Sequence, residues 1–409
     1  MVKGLQTDGH NRFCARYQLA KDDDIRLRIV HFAAEKLLNT THPTGPLTSA
    51  QKLACLSQRL PIEFHSTTYT ARYQEQKQVE SHMRVCIKVL PSFESMVTTS
   101  PSEPILSEAA YGVMSRPDFD APKALQQVMS GFSVNRGDRG EFVVMLLFTL
   151  ARDLAVASQT SQPAKSRIIA VTDLLQNLFS QSRTIMSALP SNIHHSQTHF
   201  SKTKLKEAFR DAQIHFNHFV KVHQRSILSR KYLFWLISRG AAVLCANGQA
   251  GVDGLIPFTY RKTGLQIKDI GVILWQSKND SSYTSEPVQA LFDAMDPFDL
   301  GIFEESDQTD VIPIIRIVFA LAAKTPSMKV VRAETMSHSC TAYDIWCSGI
   351  SSEIQRPITN AAEEVWHSLV SASHGWNEIY NVCDQETKAL RMSMNPGTAE
   401  VPSFWAAWT

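Results

Sequence analysis

Four residues carry group types that together could hydrolyse a phosphodiester: Glu141, Asp253, Gln276 and Lys278. Asp253 sits between Gly251 and Gly254 at the head of an apolar run, Val252 to Phe258. A carboxylate there is costly to bury unless it is paired or holds a cation. Gln276 and Lys278 lie two apart in a near-continuous run of β-formers, Ile270 to Lys278. The period of two sends both to one face and sends Trp275 and Ser277 to the other. Asp253, Gln276 and Lys278 are therefore expected to converge at the end of a hairpin. The carboxylate would hold a hard cation such as Mg²⁺ or Mn²⁺. That cation offsets charge building on the phosphoryl oxygens, and a lysine beside it stabilises the same charge. Gln276 would offer one neutral carbonyl ligand, and it cannot serve as a general base. Glu141 opens a strongly apolar stretch and is the candidate second ligand, direct or through water.

Each of these residues also has a plainer role open to it. Asp253 can cap a turn by bonding nearby amides. Lys278 can be a solvated strand end. Glu141 can be the acidic first turn that a helix dipole favours. Arg136 and Arg139 can contact phosphates beside the site or simply be solvated. Six histidines, His194, His195, His199, His215, His218 and His223, cluster in sequence, but no carboxylate or cysteine completes a ligand set with a shared focus. Packed or solvated histidines are the favoured reading. Cys245 reads as a small core residue. Arg225, Arg230 and Lys231, near Tyr232, Phe234 and Trp235, could track a nucleic-acid backbone or snorkel from a helix end.

The elements that must position these groups follow from periodicity. Helical spacing predicts helices over 25–38, 49–60 and 78–90, with a short one restarting at Ser107. Glu141 to Ala157 reads as a helix apolar almost all round, hence buried on most sides. Residues 158–165 read as a loop, and helices follow near 167–187. Leu205, Phe209, Ala212, Phe216 and Phe219 step by four and three, which predicts an amphipathic helix over 201–224. Strands are expected at 241–246, 252–258, 270–278 and 312–320, with another at 342–350. Residues 287–295 and 360–381 read as helical, and the tail from Asn395 as extended.

The chain has 409 residues, 44% of them hydrophobic and 20% charged, which excludes wholesale disorder. Lys and Arg number 41 against 39 Asp and Glu, so any nucleic-acid footprint must be local rather than global. Seven cysteines without a CxxC pair fit free thiols in a reducing compartment. No apolar leader opens the sequence and no apolar run is long enough to span a bilayer. A cytoplasmic or nuclear protein is expected.

Asp253 followed by Gln276-Ser277-Lys278 resembles the D…(D/E/Q)xK signature of the PD-(D/E)XK nuclease superfamily, in the QxK form of Mrr-type restriction endonucleases. Glu141 matches the extra acidic residue that many members place on the first core helix. The segments 82–86, 102–110, 135–141 and 215–222 are similar to those of basidiomycete fungal proteins, some of them Crinkler-like. The resemblance implies an α/β (α+β) fold with an αβββαβ restriction-endonuclease-like core and a mixed sheet of about four to five strands. Residues 1–128 are then an N-terminal helical region, 129–350 the core with a helical insertion, and 351–409 a C-terminal helical extension and tail. It implies Mg²⁺-dependent hydrolysis of DNA, with Asp253, Glu141 and Gln276 on the metal and Lys278 at the phosphate. The alternative is a silent nuclease-fold protein that binds nucleic acid or protein. Such proteins also join an NTPase-like portion to the nuclease-like one. This sequence has no GxxxxGK[ST], so residues 1–128 could be the remnant of a helical lid.

Overall fold

The computed structural model describes residues 23–371, apart from 65–68, 90, 92–95, 132–135, 160–166, 261–263, 305–311, 333–334 and 338–339. The extended tail expected from Asn395 lies outside the described residues. So do Cys14 and Cys383, most of the 158–165 loop and the end of the expected 360–381 helix.

The described chain is a mixed α/β structure. Helices α1 (Asp23–Leu38), α2 (Ser49–Arg59) and α3 (Tyr69–Ser81) lead into a hairpin, β1 (Val85–Val89) and β2 (Met96–Thr99). Helices α4 (Pro104–Met114), α5 (Ala121–Gly131) and α6 (Arg136–Ala157) follow. Then come β3 (Ile169–Ala170), α7 (Val171–Leu178), α8 (Ser182–Met186), β4 (Asn192–His194), α9 (Leu205–Ala208), β5 (Gln213–Ile214) and β6 (His218–Lys221). The central part runs α10 (Arg230–Arg239), β7 (Ala241–Leu244), β8 (Gly254–Thr259), β9 (Ile270–Lys278), α11 (Gln289–Asp293) and β10 (Ile314–Ala320). Strands β11 (Ser327–Val331), β12 (Thr335–Ser337) and β13 (Ala342–Ser348) precede α12 (Glu363–Ser371).

Strands β3 to β13 form one eleven-stranded sheet. Its centre is antiparallel between β7, β8 and β9, then parallel from β9 to β10 and from β10 to β13. The turn between β9 and β10 carries α11, as a parallel crossover requires. The central strands are buried on both faces, so they read as unbroken apolar runs rather than alternations. One face, with Ile256, Ile273, Trp275, Ile317 and Phe319, packs under α6, where Phe148 meets Trp275 at 6.1 Å and Phe319 at 5.7 Å between ring centroids. This core is continuous from Ala33 to Val370. The other face, with Leu255, Val272, Leu274 and Val318, packs against α10 and the segment around α11.

Buried charge ties the N-terminal helices to this frame. Arg59, with no exposed side-chain surface, grips Asp153 of α6 through both terminal nitrogens and donates to the Asn217 carbonyl at 2.9 Å. Arg152 pairs with Glu108 at 2.9 Å. Under the other face of the sheet, Arg316 of β10 makes two 2.6 Å bonds to Asp344 of β13.

Three expectations are corrected. The sheet has eleven strands, not four or five: β3, β4, β5 and β12 are two or three residues long and leave no periodic signal, β6 lies in the stretch expected to be helical, and β11 was not expected. The helix expected over 78–90 ends at Ser81: Met83 adopts a positive φ of 60°, and the β-branched Val85, Ile87 and Val89 then run as a strand. The helix expected over 201–224 is broken into a 3₁₀ turn, the short α9, and strands β5 and β6. Ile214 and Phe216 alternate there at a strand's period, and the same core takes Leu205, Phe209, Phe216 and Phe219 whatever their spacing.

Candidate active site

Asp253 lies at the head of β8, bonded on both sides. Its N–H donates to the Trp275 carbonyl at 3.1 Å, and its carbonyl accepts from Cys245 N–H at 2.8 Å. Gly254 is the ladder partner of Trp275, so two successive residues address one. Such a one-residue offset, of the β-bulge kind, re-aims a side chain. Here it brings Asp253 Oδ2 to Ser277, which donates from its backbone N–H at 2.6 Å and its hydroxyl at 3.0 Å. Asp253 Oδ1 has no hydrogen-bond partner among the described residues.

Helix α6 comes down on the same place. A Cβ at Gly140 would stand 3.1 Å from Ser277 Oγ and 3.2 Å from Asn279 Cβ, so only a glycine lets the helix approach this closely. Glu141 follows directly. It lies seven residues, two helical turns, before Phe148, on the face of α6 that meets Trp275. Its carboxyl has no hydrogen-bond or ion-pair partner among the described residues. Burial pushes the Glu141 carboxyl up to about 8, helped by the neighbouring Asp253 and Asp138 and opposed by Lys221. Burial also raises the Asp253 carboxyl, against the two Ser277 bonds and the Lys278 charge. Two desolvated carboxyls, one of them raised further by the charge of the other, form an arrangement that a divalent cation relieves.

The expected convergence of all four groups is corrected in one respect. Ser277 Oγ faces Gly140 on the α6 side, and its ladder partner Phe319 lies in that core. Strand alternation therefore turns Gln276 and Lys278 to the opposite side, with Leu274. Gln276 is 4% exposed, paired in the ladder with Val318, and its amide oxygen is buried without a partner. Ser277 bonds Asp253 and lies against Gly140, the neighbour of Glu141, while Lys278 stays at the strand end within electrostatic reach of Asp253 and Gln276 goes to the other layer. The two-residue period was read correctly; the offset at Asp253 was invisible to it.

Sequence reasoning missed Ser277 and Lys221. Ser277 stood inside the QSK triplet, and no residue pattern marked it as the clamp. Lys221 was hidden by assigning 201–224 to a helix. It belongs to β6, and its Nζ is 2.6 Å from Glu63 Oε2.

The other candidates are accounted for by their contacts. His215 Nδ1–H donates to the Ile237 carbonyl at 2.9 Å, and His218 bonds Ser102 at 2.8 Å and Asn217 at 2.6 Å. Burial lowers both imidazoles, His218 to about 3. No group of three or more potential ligands from His, Cys, Asp and Glu occurs among the described residues. Burial raises the Cys245 thiol well above its ordinary value. Arg225 and Arg230 donate to backbone carbonyls of the 299–300 and 268–270 segments. The Arg136 side chain lies outside the described residues, and Arg139 is buried. A cleft lined by Gln176, Arg183, Lys204 and Lys206 includes none of the four site residues. Among the described residues no helix is long and apolar enough to cross a membrane.

Over residues 49–312 the chain matches the family described as Domain of unknown function (DUF8736), and it belongs to that family. No curated protein and no solved structure matches it.

Proposed function

We propose that the chain is a nuclease-like protein that hydrolyses DNA phosphodiester bonds with Mg²⁺ or Mn²⁺, on a restriction-endonuclease-like core. The observation that carries this reading is the Glu141–Asp253 pair: two raised carboxyls, one clamped through a single oxygen, at the exit of β9. The connectivity supports it. Strands β7, β8 and β9 form an antiparallel meander, α11 follows, and β10 returns parallel to β9, with α6 laid over the sheet. The acid stands at the head of the second strand and QSK at the end of the third, as in the PD-(D/E)XK resemblance.

Asp253 Oδ1 and the Glu141 carboxylate would hold the cation, which would offset charge building on the phosphoryl oxygens. Ser277 fixes Asp253 so that its second oxygen keeps one direction. In the hydrolysis, one water oxygen bonds phosphorus, one ester P–O bond breaks, and the water's proton ends on the leaving oxygen.

A second reading rests on the alternation of β9. Gln276 and Lys278 face away from Ser277, which favours a nuclease fold that binds nucleic acid or protein without cutting. Incubating purified protein with supercoiled plasmid and Mn²⁺ separates the two. Nicking abolished by Asp253→Ala and by Glu141→Gln supports hydrolysis. Absence of nicking together with retained DNA binding supports the second reading.

A further inference from the structure

Ladder register, traced across four strands, sets one more charged side chain on the face of the carboxyl pair. Lys221 pairs with Leu244 across β6 and β7, Leu244 with Gly254 across β7 and β8, and Gly254 with Trp275 across β8 and β9. Residues directly opposite in a ladder share a face. Leu244, Trp275 and Phe219, two residues before Lys221, all belong to the α6-side core. Lys221 therefore projects on the face that carries Glu141 and Ser277, in the row that begins one residue after Asp253. Gly254 has no side chain to stand between them. Neighbouring strands are about 4.8 Å apart, so two strand spacings separate the Lys221 and Gly254 backbones, and an extended lysine covers most of that span. Lys278, by contrast, follows Gln276 and Leu274 to the other layer.

We propose that Lys221, rather than Lys278, is the ammonium that serves the Glu141–Asp253 site, and that Glu63 is its resting partner. The proposal rests on the phosphodiester reading above. Lys221 is bound to Glu63 at 2.6 Å, on the non-helical segment between α2 and α3, and His223 approaches the other Glu63 oxygen at 3.5 Å. An anionic phosphate arriving beside Asp253 competes with Glu63 for the same Nζ. The ammonium then turns from the carboxylate to a non-bridging phosphoryl oxygen, with no bond made or broken at the lysine. The charged groups around Glu141 are Asp138 from its own helix, Asp253 from the head of β8 and Lys221 from β6.

The test compares Lys221→Met, Lys221→Arg and Lys278→Met in the full chain. For Lys221→Met, plasmid cleavage with Mn²⁺ is expected to fall about 100-fold, the usual loss of an electrostatic stabiliser. Mn²⁺ measured by calorimetry is expected to bind about fivefold tighter, because a repelling charge has gone. A purely structural lysine would not produce that opposed pair of changes. Lys221→Arg should recover part of the cleavage, and Lys278→Met, whose charge reaches Asp253 from the strand end, should lose less than Lys221→Met. Unchanged cleavage in Lys221→Met, or the 100-fold loss in Lys278→Met instead, overturns the proposal. If the parent protein neither binds Mn²⁺ nor cleaves, the phosphodiester reading falls. The Lys221 proposal falls with it, whereas a parent that cleaves beside an unchanged Lys221→Met overturns the lysine assignment alone.

Discussion

Ser277 donates twice to one oxygen of Asp253, through its backbone N–H at 2.6 Å and its hydroxyl at 3.0 Å. The backbone bond survives any side-chain change, and the hydroxyl bond does not. Replacing Ser277 by Ala is expected to cost about 1 kcal/mol of stability, a typical hydrogen bond. It should also raise the Asp253 carboxyl further and weaken Mn²⁺ binding several-fold, since a carboxylate with one anchor can rotate. Chemical denaturation and calorimetry on the same variant check both. An undiminished Mn²⁺ affinity would show that the hydroxyl does not orient the carboxylate.

Glu141 makes stability fall as pH rises. Its folded carboxyl sits near 8, above its ordinary 4.5, so between those values the folded state holds a proton that the unfolded state has released. Stability is then greatest below pH 4.5 as far as this group is concerned, declines as pH rises towards 8, and levels off above it. One pKa unit is worth about 1.4 kcal/mol, so the decline is on the order of a few kcal/mol. In Glu141→Gln the slope between pH 5 and 8 should flatten. A slope identical in the variant would place the proton elsewhere.

Gly140 sets how closely α6 approaches β9. Gly140→Ala brings a Cβ to 3.1 Å from Ser277 Oγ and 3.4 Å from Leu321 Cδ1, tighter than ordinary contact. The helix end must lift, at about 1–3 kcal/mol for an overpacked site. Because Glu141 is the next residue, its carboxyl should move away from Asp253 and its titration should drop towards the ordinary range. Calorimetric melting and the pH profile together check this; a normal melting temperature with an unshifted profile contradicts it.

Gly254 is more constrained. An added Cβ would lie 2.3 Å from Trp275 Cζ2 and 2.5 Å from the Val243 carbonyl oxygen, and a backbone atom cannot yield as a flexible side chain does. Gly254→Ala should destabilise more than Gly140→Ala, by roughly 3 kcal/mol or more. Urea denaturation of the two variants side by side checks the order.

Arg316 and Asp344 lie inside the sheet's second face, both essentially unexposed. Removing one partner strands a buried charge, so Asp344→Asn should cost about 3–5 kcal/mol. The double variant Arg316→Met with Asp344→Leu should recover much of it. A single variant as stable as the parent would mean that water reaches the pair.

The central strands were legible because burial on both faces leaves an unmixed apolar run. Ile270 to Lys278 and Ile314 to Ala320 have that texture, and the structure gives strands there. Asp253 and Glu141 drew attention because a carboxylate beside apolar runs is chemically out of place, and both prove to be largely desolvated. Three things were not. Strands of two or three residues, such as Gln213–Ile214, have no period to read. Phe209, Phe216 and Phe219 have helical spacing by coincidence, since all three enter one core from different elements. The offset at Asp253 depends on hydrogen bonds to Trp275, which no residue type announces.

The length of α6 links two regions at its opposite ends. Glu141 stands near its start and Asp153 twelve residues later, about 18 Å along a helix rising 1.5 Å per residue. Arg59 clasps the far end, so the seating of a rod held by the amino-terminal helices sets the spacing of the two carboxyls at the near end. A protein trimmed of its first sixty residues would keep every site residue and lose the fulcrum that aims one of them.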